Sequence, residues 1–508
     1  MEVRDRGAGD EHNMAKRHER LTLASLAILV GLAALSQVLA QAPTPAPTAP
    51  ASRSPTPTAP TTPTPNQPAT PTPPLASIDD FKLDRLVLKD GTEFEGVIVS
   101  ETAGLVRFKI VLRRPGARTQ TIDASYESEE IDRIERLPLT ERQQATAFLE
   151  RLATAGLREA ERVAAVTLTD VPAQDGLPAG RRYEGRTCRI TSDAEPETLR
   201  LIAVRLEELL LAAATRFELA SDALKPIEVV VLTRWEDYAA WQRRRRLRIL
   251  NPACYDPQRK ELVAVCELDR LAAELNTVQQ RHKAKLAELD DYEAKLRRHF
   301  GSSVPFDLIA RSRDQRLKVL ALAGENEALF ERMKASFFAV LFHEALHALV
   351  DTAVYPTASH ALPRWLNEGL AQMFETVVLE AGAVRWGKLD AERLQAAKEM
   401  LKRGELPSLE SILRDDPRVF QVGHLTQTLR ADRYFVAAWA LSHWLVIHRT
   451  TPLADLDRYA RIAGTESDKV APFTSLVGMP LPAIEAEWHE WLKQVRPDSS
   501  VDRKAGAD

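Results

Sequence analysis

Leu341 to Asp351 reads LFHEALHALVD, two histidines four residues apart with a glutamate directly after the first. On an α-helix, residues i and i+4 share a face, so His343 and His347 can present both imidazoles to one ion while Glu344 stands beside them. The same spacing fits an ordinary amphipathic helix carrying two packed histidines, because H-E-x-x-H is short enough to arise by chance. A catalytic zinc site needs a third protein ligand and an open fourth position. The surrounding sequence has to supply that ligand.

Downstream, Pro363 to Val378 reads PRWLNEGLAQMFETVV, helical in pattern after a proline-marked start, with Glu368 opening the second turn. HEALH followed by WLNEGLA, with 20 residues between His347 and Glu368, resembles the gluzincin group of zinc metallopeptidases, although the gap is slightly longer than is usual in their aminopeptidase branch. More narrowly, Arg181 to Val495 is similar to a family of secreted bacterial proteins catalogued as peptidase-like domains of unknown function. The resemblance implies a thermolysin-like α+β catalytic region with a mixed sheet and a helical C-terminal part. It also implies one Zn2+ held by His343, His347 and Glu368. An ion so held lowers the pKa of a bound water from about 16 toward about 7, and Glu344 is placed to take that proton and pass it to the leaving amine.

In the aminopeptidase branch a tyrosine on a later helix, in a Y-x-x-G pattern, steadies the oxyanion. Here RYFVAAWALSHWLVIH puts Tyr434 at a similar place, with Ala437 where that branch has glycine. A purely structural tyrosine is the alternative, and His424 and His443 are further candidates for the donor. Asp351, one turn beyond His347, is either an acceptor for its second ring nitrogen or a surface residue at the helix end. Asn367 is placed to help fix the ligand helix, and His360 reads as a loop residue.

The rest of the chain bounds the setting. Its 508 residues are enough for several domains, and an apolar fraction of 44% is that of an ordinary globular protein. A formal charge of −4 carries no global pull toward nucleic acid or acidic membranes. The one dense basic run, RRRRLR at 243–248, reads as the solvated face of a helix. Lys16, Arg17 and Arg20 precede the uncharged LTLASLAILVGLAALSQVLA, Leu21 to Ala40, which reads as an export signal cleaved after Ala40 or as an uncleaved membrane anchor. Either reading places the protein outside the cytoplasm, periplasmic, secreted or anchored. Three cysteines, Cys188, Cys254 and Cys266, make no disulfide framework. Cys254 and Cys266 flank a hairpin and either pair or stay buried thiols.

Along the chain, 41–77 is almost wholly Pro, Thr, Ala and Ser, too poor in apolar residues to fold and stiffened toward polyproline II, hence a tether. Alternating apolar residues broken by turn signals at Asp90-Gly91, Ala103-Gly104 and Pro115-Gly116 predict a small antiparallel barrel over 78–137. The rhythm of LKDGTEFEG resembles SH3-like and Sm-like barrels. A helical connector occupies 138–180. The peptidase-like region, 181–495, opens with RRYEGRTCRITSD as a strand, a helix, PIEVVVLTRWEDYAAW as strand into helix, and the hairpin NPACYDPQRKELVAVCEL, an order that predicts a mixed sheet ahead of the motif helix. An insertion at 268–334 has heptad spacing at Leu268, Leu271, Leu275, Val278, Leu289, Tyr292 and Leu296, with His282 and Lys285 on the same seam. It reads as a helical hairpin broken near Gly301 to Asp307, with a second helix running back through Arg316 to Lys334. From Asp390 onward the pattern is helical, and 496–508 is a polar, frayed end.

The expected function is that of an exported zinc metallopeptidase acting on a peptide or protein substrate. Two other classes fit the same residues: a catalytically inactive peptidase-like scaffold or binding module of the cell envelope, and a zinc hydrolase of a non-peptide amide in the cell wall. Glu344 favours an enzyme, since a structural metal needs no base beside a water. Side-chain preference, cleavage mode and oligomeric state have no readable motif.

Overall fold

Asp84, at the start of the first strand, shows how the N-terminal module is closed. It is fully buried, and its carboxylate accepts the amides of Ile98 (3.2 Å) and Leu137 (2.7 Å) while pairing with Arg142 at 3.1 Å. One side chain thus ties three backbone stretches together and satisfies donors that burial would otherwise leave unpaired.

A computed structural model describes residues 82–112, 119–219, 224–247, 249, 251–355, 362–380, 383–385, 389–414 and 429–497. The expected leader, tether and all but the first two residues of the C-terminal tail lie outside these residues, as do the Pro115-Gly116 turn, Arg248, His360 and His424. The fold is α+β. Strands β1 (Asp84–Leu88), β2 (Glu93–Glu101), β3 (Leu105–Leu112), β4 (Gln120–Glu127) and β5 (Ile131–Glu135) form one antiparallel sheet in the order β4-β3-β2-β1-β5. The predicted small β module is there, as a sheet without a β4-β5 ladder among the described residues. Alternation gives it two apolar faces. One gathers Leu86, Phe108 and Ile110, and the other sets Val97 and Val111 against Phe148 and Leu149 of α1 (Leu139–Ala153). Helix α2 (Ala155–Ala165) completes the connector.

The larger sheet has six strands, β6 (Thr169–Val171), β7 (Gly180–Glu184), β8 (Cys188–Ser192), β9 (Ile227–Leu232), β10 (Ala253–Asp256) and β11 (Glu261–Val265), in the order β10-β11-β9-β8-β7-β6. It is mixed, as expected, with β8, β9 and β11 parallel and the outer pairs antiparallel. RRYEGRTCRITSD forms two strands rather than one. The chain reverses at Gly185, whose amide bonds to Cys188 O at 2.9 Å, and the carboxylate of Glu207 takes up the Thr187 amide. Helix α3 (Pro196–Arg216) links β8 to β9, and α4 (Trp235–Arg245) follows β9.

Residue alternation sorts this sheet cleanly. Ile227, Val229 and Val231 face the main core with α3, whereas Val230 and Leu232 face Tyr238 and Trp241 of α4. The same alternation separates two of the thiols: Cys254 points to the α4 side and Cys266 to the main core, so the three cysteines are buried and unbridged. The arginine run ends α4. Arg243, Arg244 and Arg246 are exposed, but Arg245 lies over the Trp241 ring and pairs with Glu261 at 2.6 Å, so that position packs rather than solvates.

Leu271–Glu331 is a compact unit of its own, formed by most of α5 (Leu268–Phe300) and the first part of α6 (Phe306–Leu349). Its seam buries Leu271, Val278, His282, Lys285, Leu289 and Leu296, which is the heptad pattern predicted. Leu275 is only half-buried, and Tyr292 departs from the seam, at 39% exposed. Ser312 Oγ donates to Glu293 at 2.6 Å and Arg316 to Asp290 at 2.6 Å across the hairpin. The returning helix does not stop at Lys334. No proline or glycine falls between Lys334 and His343, so α6 continues unbroken into the H-E-x-x-H motif.

After α6 a π-helical turn, Val350–Val354, leads toward α7 (Arg364–Phe374). The short pair β12 (Val378–Glu380) and β13 (Ala383–Arg385) follows. The remainder is helical: α8 (Ala391–Arg403), α9 (Leu409–Leu413), α10 (Leu429–His443), a second π-helical turn at Trp444–His448, α11 (Leu453–Thr465), α12 (Ala471–Val477) and α13 (Leu481–Gln494). Trp365, Trp439, Trp444 and Trp488 are fully buried where these helices meet.

Candidate metal centre

Two helices supply the centre. Leu341, Phe342, Ala345, Leu346, Ala348 and Leu349 turn one face of α6 into the main core, which leaves His343 and His347 together on the opposite side of that buried stripe. Helix α7 starts after Pro363 and buries Trp365, Leu366, Leu370, Ala371 and Phe374, presenting Glu368 toward the two histidines. Their Nε2 atoms lie 3.1 Å apart, and Glu368 Oε2 is 3.5 Å from His343 Nε2 and 3.6 Å from His347 Nε2.

An ion held tetrahedrally by bonds of about 2.1 Å keeps its ligands about 3.4 Å apart. The three atoms fit that span. The far nitrogens support it too: His343 Nδ1 faces Glu375 Oε1 at 2.7 Å, and His347 Nδ1 faces Asn367 Oδ1 at 3.2 Å. Acceptors at both Nδ1 atoms favour Nδ1–H and turn the Nε2 lone pairs inward, the tautomer a divalent cation requires. Among the described residues, His343, His347 and Glu368 are the one group of three able to share a metal.

The charges are strongly coupled. Burial opposes protonation of His343, but Glu368 and Glu375 outweigh it and raise its pKa to about 10. His347 moves up as well, burial again opposing and Glu368 prevailing. Glu368 is driven well below the carboxylate range by the two histidines against the cost of burial. A cation bound here would have to displace protons from imidazoles that already face a carboxylate. Glu344 goes the other way: burial raises its pKa, and its Oε2 accepts the Tyr255 amide of edge strand β10 at 2.8 Å.

Several expectations change. Asp351 is neither a partner of His347 nor a surface residue. It is 8% exposed and accepts the Tyr255 hydroxyl at 2.7 Å, so Tyr255 clamps β10 to the motif helix at two points. Asn367 does more than steady its helix, since it orients His347. His443 is unsuited to donate to an oxyanion. It is buried edge-on to Trp439, neither ring nitrogen has a hydrogen-bond partner among the described residues, and burial followed by the charge of Arg393 lowers its pKa to about 3. Tyr434 sits buried on α10, the helix packed along α7.

Glu375 was not foreseen. Its signal lay in the quoted segment, because it follows Glu368 by seven residues, two helical turns along the same face. The glycine of N-E-G also gains a reason. A Cβ on Gly369 would overlap Ser442 Oγ and the Ala438 carbonyl, so only glycine lets α7 approach α10 this closely. Gly369→Ala is expected to cost about 1–3 kcal/mol of stability and to weaken metal uptake by displacing neighbouring Glu368. Urea unfolding alongside metal titration checks this, and a variant matching the parent in both would show that the contact does not position the ligand.

Fold and site together define a mixed α+β protein with an H-E-x-x-H candidate metal centre completed by a glutamate from the next helix. Residues 338–467 match the model of a family described as protein of unknown function (DUF1570). That range holds the three candidate ligands together with Glu344, Asn367 and Glu375, and omits the six-stranded sheet that supplies Tyr255. No curated protein matches the chain. No solved structure matches it either.

Proposed function

We propose that the protein is an exported zinc-dependent metallopeptidase of gluzincin type, hydrolysing peptide bonds of a peptide or protein substrate. The observation that carries this reading is the convergence of two imidazole nitrogens and one carboxylate oxygen within 3.1 to 3.6 Å, with a fourth, separately held glutamate next to them. His343, His347 and Glu368 would hold the ion. When bound, zinc supplies Lewis-acid activation of a water and of the scissile carbonyl.

The chain's own groups do the rest. Glu375 and Asn367 hold the two imidazoles in the binding tautomer. Glu344 is the general base: burial raises its affinity for a proton toward the range where transfer at neutral pH is efficient. The Tyr255 amide engages Oε2, so Oε1 is the oxygen that takes the proton and later yields it to the leaving amine. Tyr434 is the proposed donor to the oxyanion. The uncharged segment before the Pro/Thr-rich tether is the proposed route to, or anchor in, an extracytoplasmic membrane face.

The purified chain is expected to carry about one zinc per molecule, matching the one three-ligand group among the described residues. It should cleave a peptide library in a manner stopped by chelation and restored by zinc. Fresh protein without metal by elemental analysis would remove the basis of the reading. Metal without turnover on any peptide is instead the result expected of a binding module.

A further inference from the structure

We propose that Arg393 is a positioning residue of the metal centre, acting on His343 through Glu375; this rests on the metal reading above. Glu375 uses both carboxylate oxygens. Oε1 faces His343 Nδ1 at 2.7 Å, and Oε2 accepts from Arg393 Nη2 at 2.7 Å. With one oxygen fixed by the guanidinium, the direction of the other is fixed, and so is the rotation of the His343 ring that aims Nε2 at Glu368 and His347. Both members of the Arg–Glu pair are largely buried, at 23% and 22% side-chain exposure, where such contacts hold geometry better than on an open surface.

Arg393 is itself anchored. Its amide is capped by Asp390 Oδ1 at 2.6 Å at the start of α8, and its guanidinium lies 5.6 Å from the centre of the Trp439 ring on α10. Helix α8 is in turn pinned to the last described residues: the Leu389 amide bonds to Pro497 O at 3.2 Å, and Lys398 Nζ to Val495 O at 2.7 Å. The two histidines are thus oriented by different means. His347 is set by Asn367, a neutral amide adjoining Glu368 in the chain. His343 depends on a carboxylate whose own orientation comes from a third helix and, behind it, the C-terminal end of the fold.

A buried ion pair can also serve only to hold the fold, so the test must read the metal and not stability alone. The full chain is titrated with zinc against a chromophoric chelator, and with cobalt(II) to record its visible absorption bands. Arg393→Met is expected to weaken zinc binding by about ten- to a hundredfold and to change the cobalt band shape. Arg393→Lys, which keeps the charge without the planar fork, should recover part of that loss. Arg245→Met removes the comparably buried pair with Glu261 on the other face of the sheet and should leave both readings unchanged. Arg393→Met with parental zinc affinity and cobalt spectrum would overturn the proposal. If that variant does not fold, Arg393→Lys decides, supporting the proposal if zinc binds about threefold or more weakly than in the parent and overturning it if affinity is parental. A parent chain that takes up no zinc brings down the metal reading, and this inference with it, before any variant is compared.

Discussion

Glu344→Gln is expected to keep about one zinc per chain while losing peptide hydrolysis by about 10²–10⁴-fold. His347→Ala should lose both. The contrast follows from where the two side chains stand. On the proposed reading His347 supplies one of three ligand atoms, and its removal would leave His343 and Glu368, too few for a stable tetrahedral site. Glutamine at 344 preserves the shape of the side chain and an oxygen able to accept the Tyr255 amide, so β10 and the motif helix stay joined. What it lacks is a carboxylate oxygen able to take a proton. Elemental analysis reports the first property and kcat/KM on a cleaved library peptide the second. A Glu344→Gln chain that hydrolyses as fast as the parent would remove the general base from the mechanism. Loss of zinc in that variant would instead place Glu344 among the residues that hold the ion.

Sequence periodicity reached part of this centre because that part is local. His343, Glu344 and His347 lie within five consecutive residues, and helical geometry alone brings them together. Glu368 was reachable through a second short motif on the next helix. The residues that orient the ligands were not, for two different reasons. Glu375 stands in a segment whose apolar rhythm already explained it as helix, so nothing marked its carboxylate as special. Arg393 and Tyr255 reach the centre from a later helix and from an edge strand, and no spacing within one element encodes such a meeting. Asp351 shows the same limit from the other side. Its position one turn beyond His347 suggested that histidine as its partner, whereas its partner is the Tyr255 hydroxyl, 96 positions away in the chain.

The mixed sheet and the helical hairpin were legible for the complementary reason. β9 and β11 carry the apolar runs Val229–Leu232 and Leu262–Val265, and the hairpin seam repeats every seven residues. The reversal at Gly185 was missed, since a single glycine in an otherwise strand-like run signals a bend, a bulge or a turn alike. Likewise the unbroken run of α6 into the motif is a matter of what is absent, a helix stop, and patterns of apolar residues register such absences poorly.

A buried histidine outside the candidate metal centre, His443, carries the second large effect. Metal-free parent chain is expected to lose more stability than His443→Leu as pH falls from about 6.5 toward 3. Burial, then the nearby charge of Arg393, lowers the pKa of His443 from 6.5 to about 3. Between those values the unfolded chain binds a proton that the native chain refuses, so stability is fully present above 6.5 and declines as pH drops. The slope is about 1.4 kcal/mol per pH unit and the full effect about 5 kcal/mol. His448 and His489 shift in the same direction through burial, which steepens the parent's decline but is common to both proteins. Glu368 and Glu375 have lowered pKa values and weaken the fold only as pH falls below the ordinary carboxylate value of 4.5. Glu344 and Glu208, raised by burial, take up protons in the native state first and oppose the decline, but equally in both proteins, so the difference between parent and variant isolates His443. His343 and His347, whose pKa values are raised, add no slope below 6.5, because both states are then protonated. Leucine has a similar volume and no ring nitrogens to leave unpaired, so the packing against Trp439 is approximately kept. Urea unfolding at pH 7, 6 and 5 in chelator, followed by tryptophan fluorescence, should show the parent losing about 2 kcal/mol more than the variant. Parallel losses would mean that His443 takes up its proton without unfolding the helices around it.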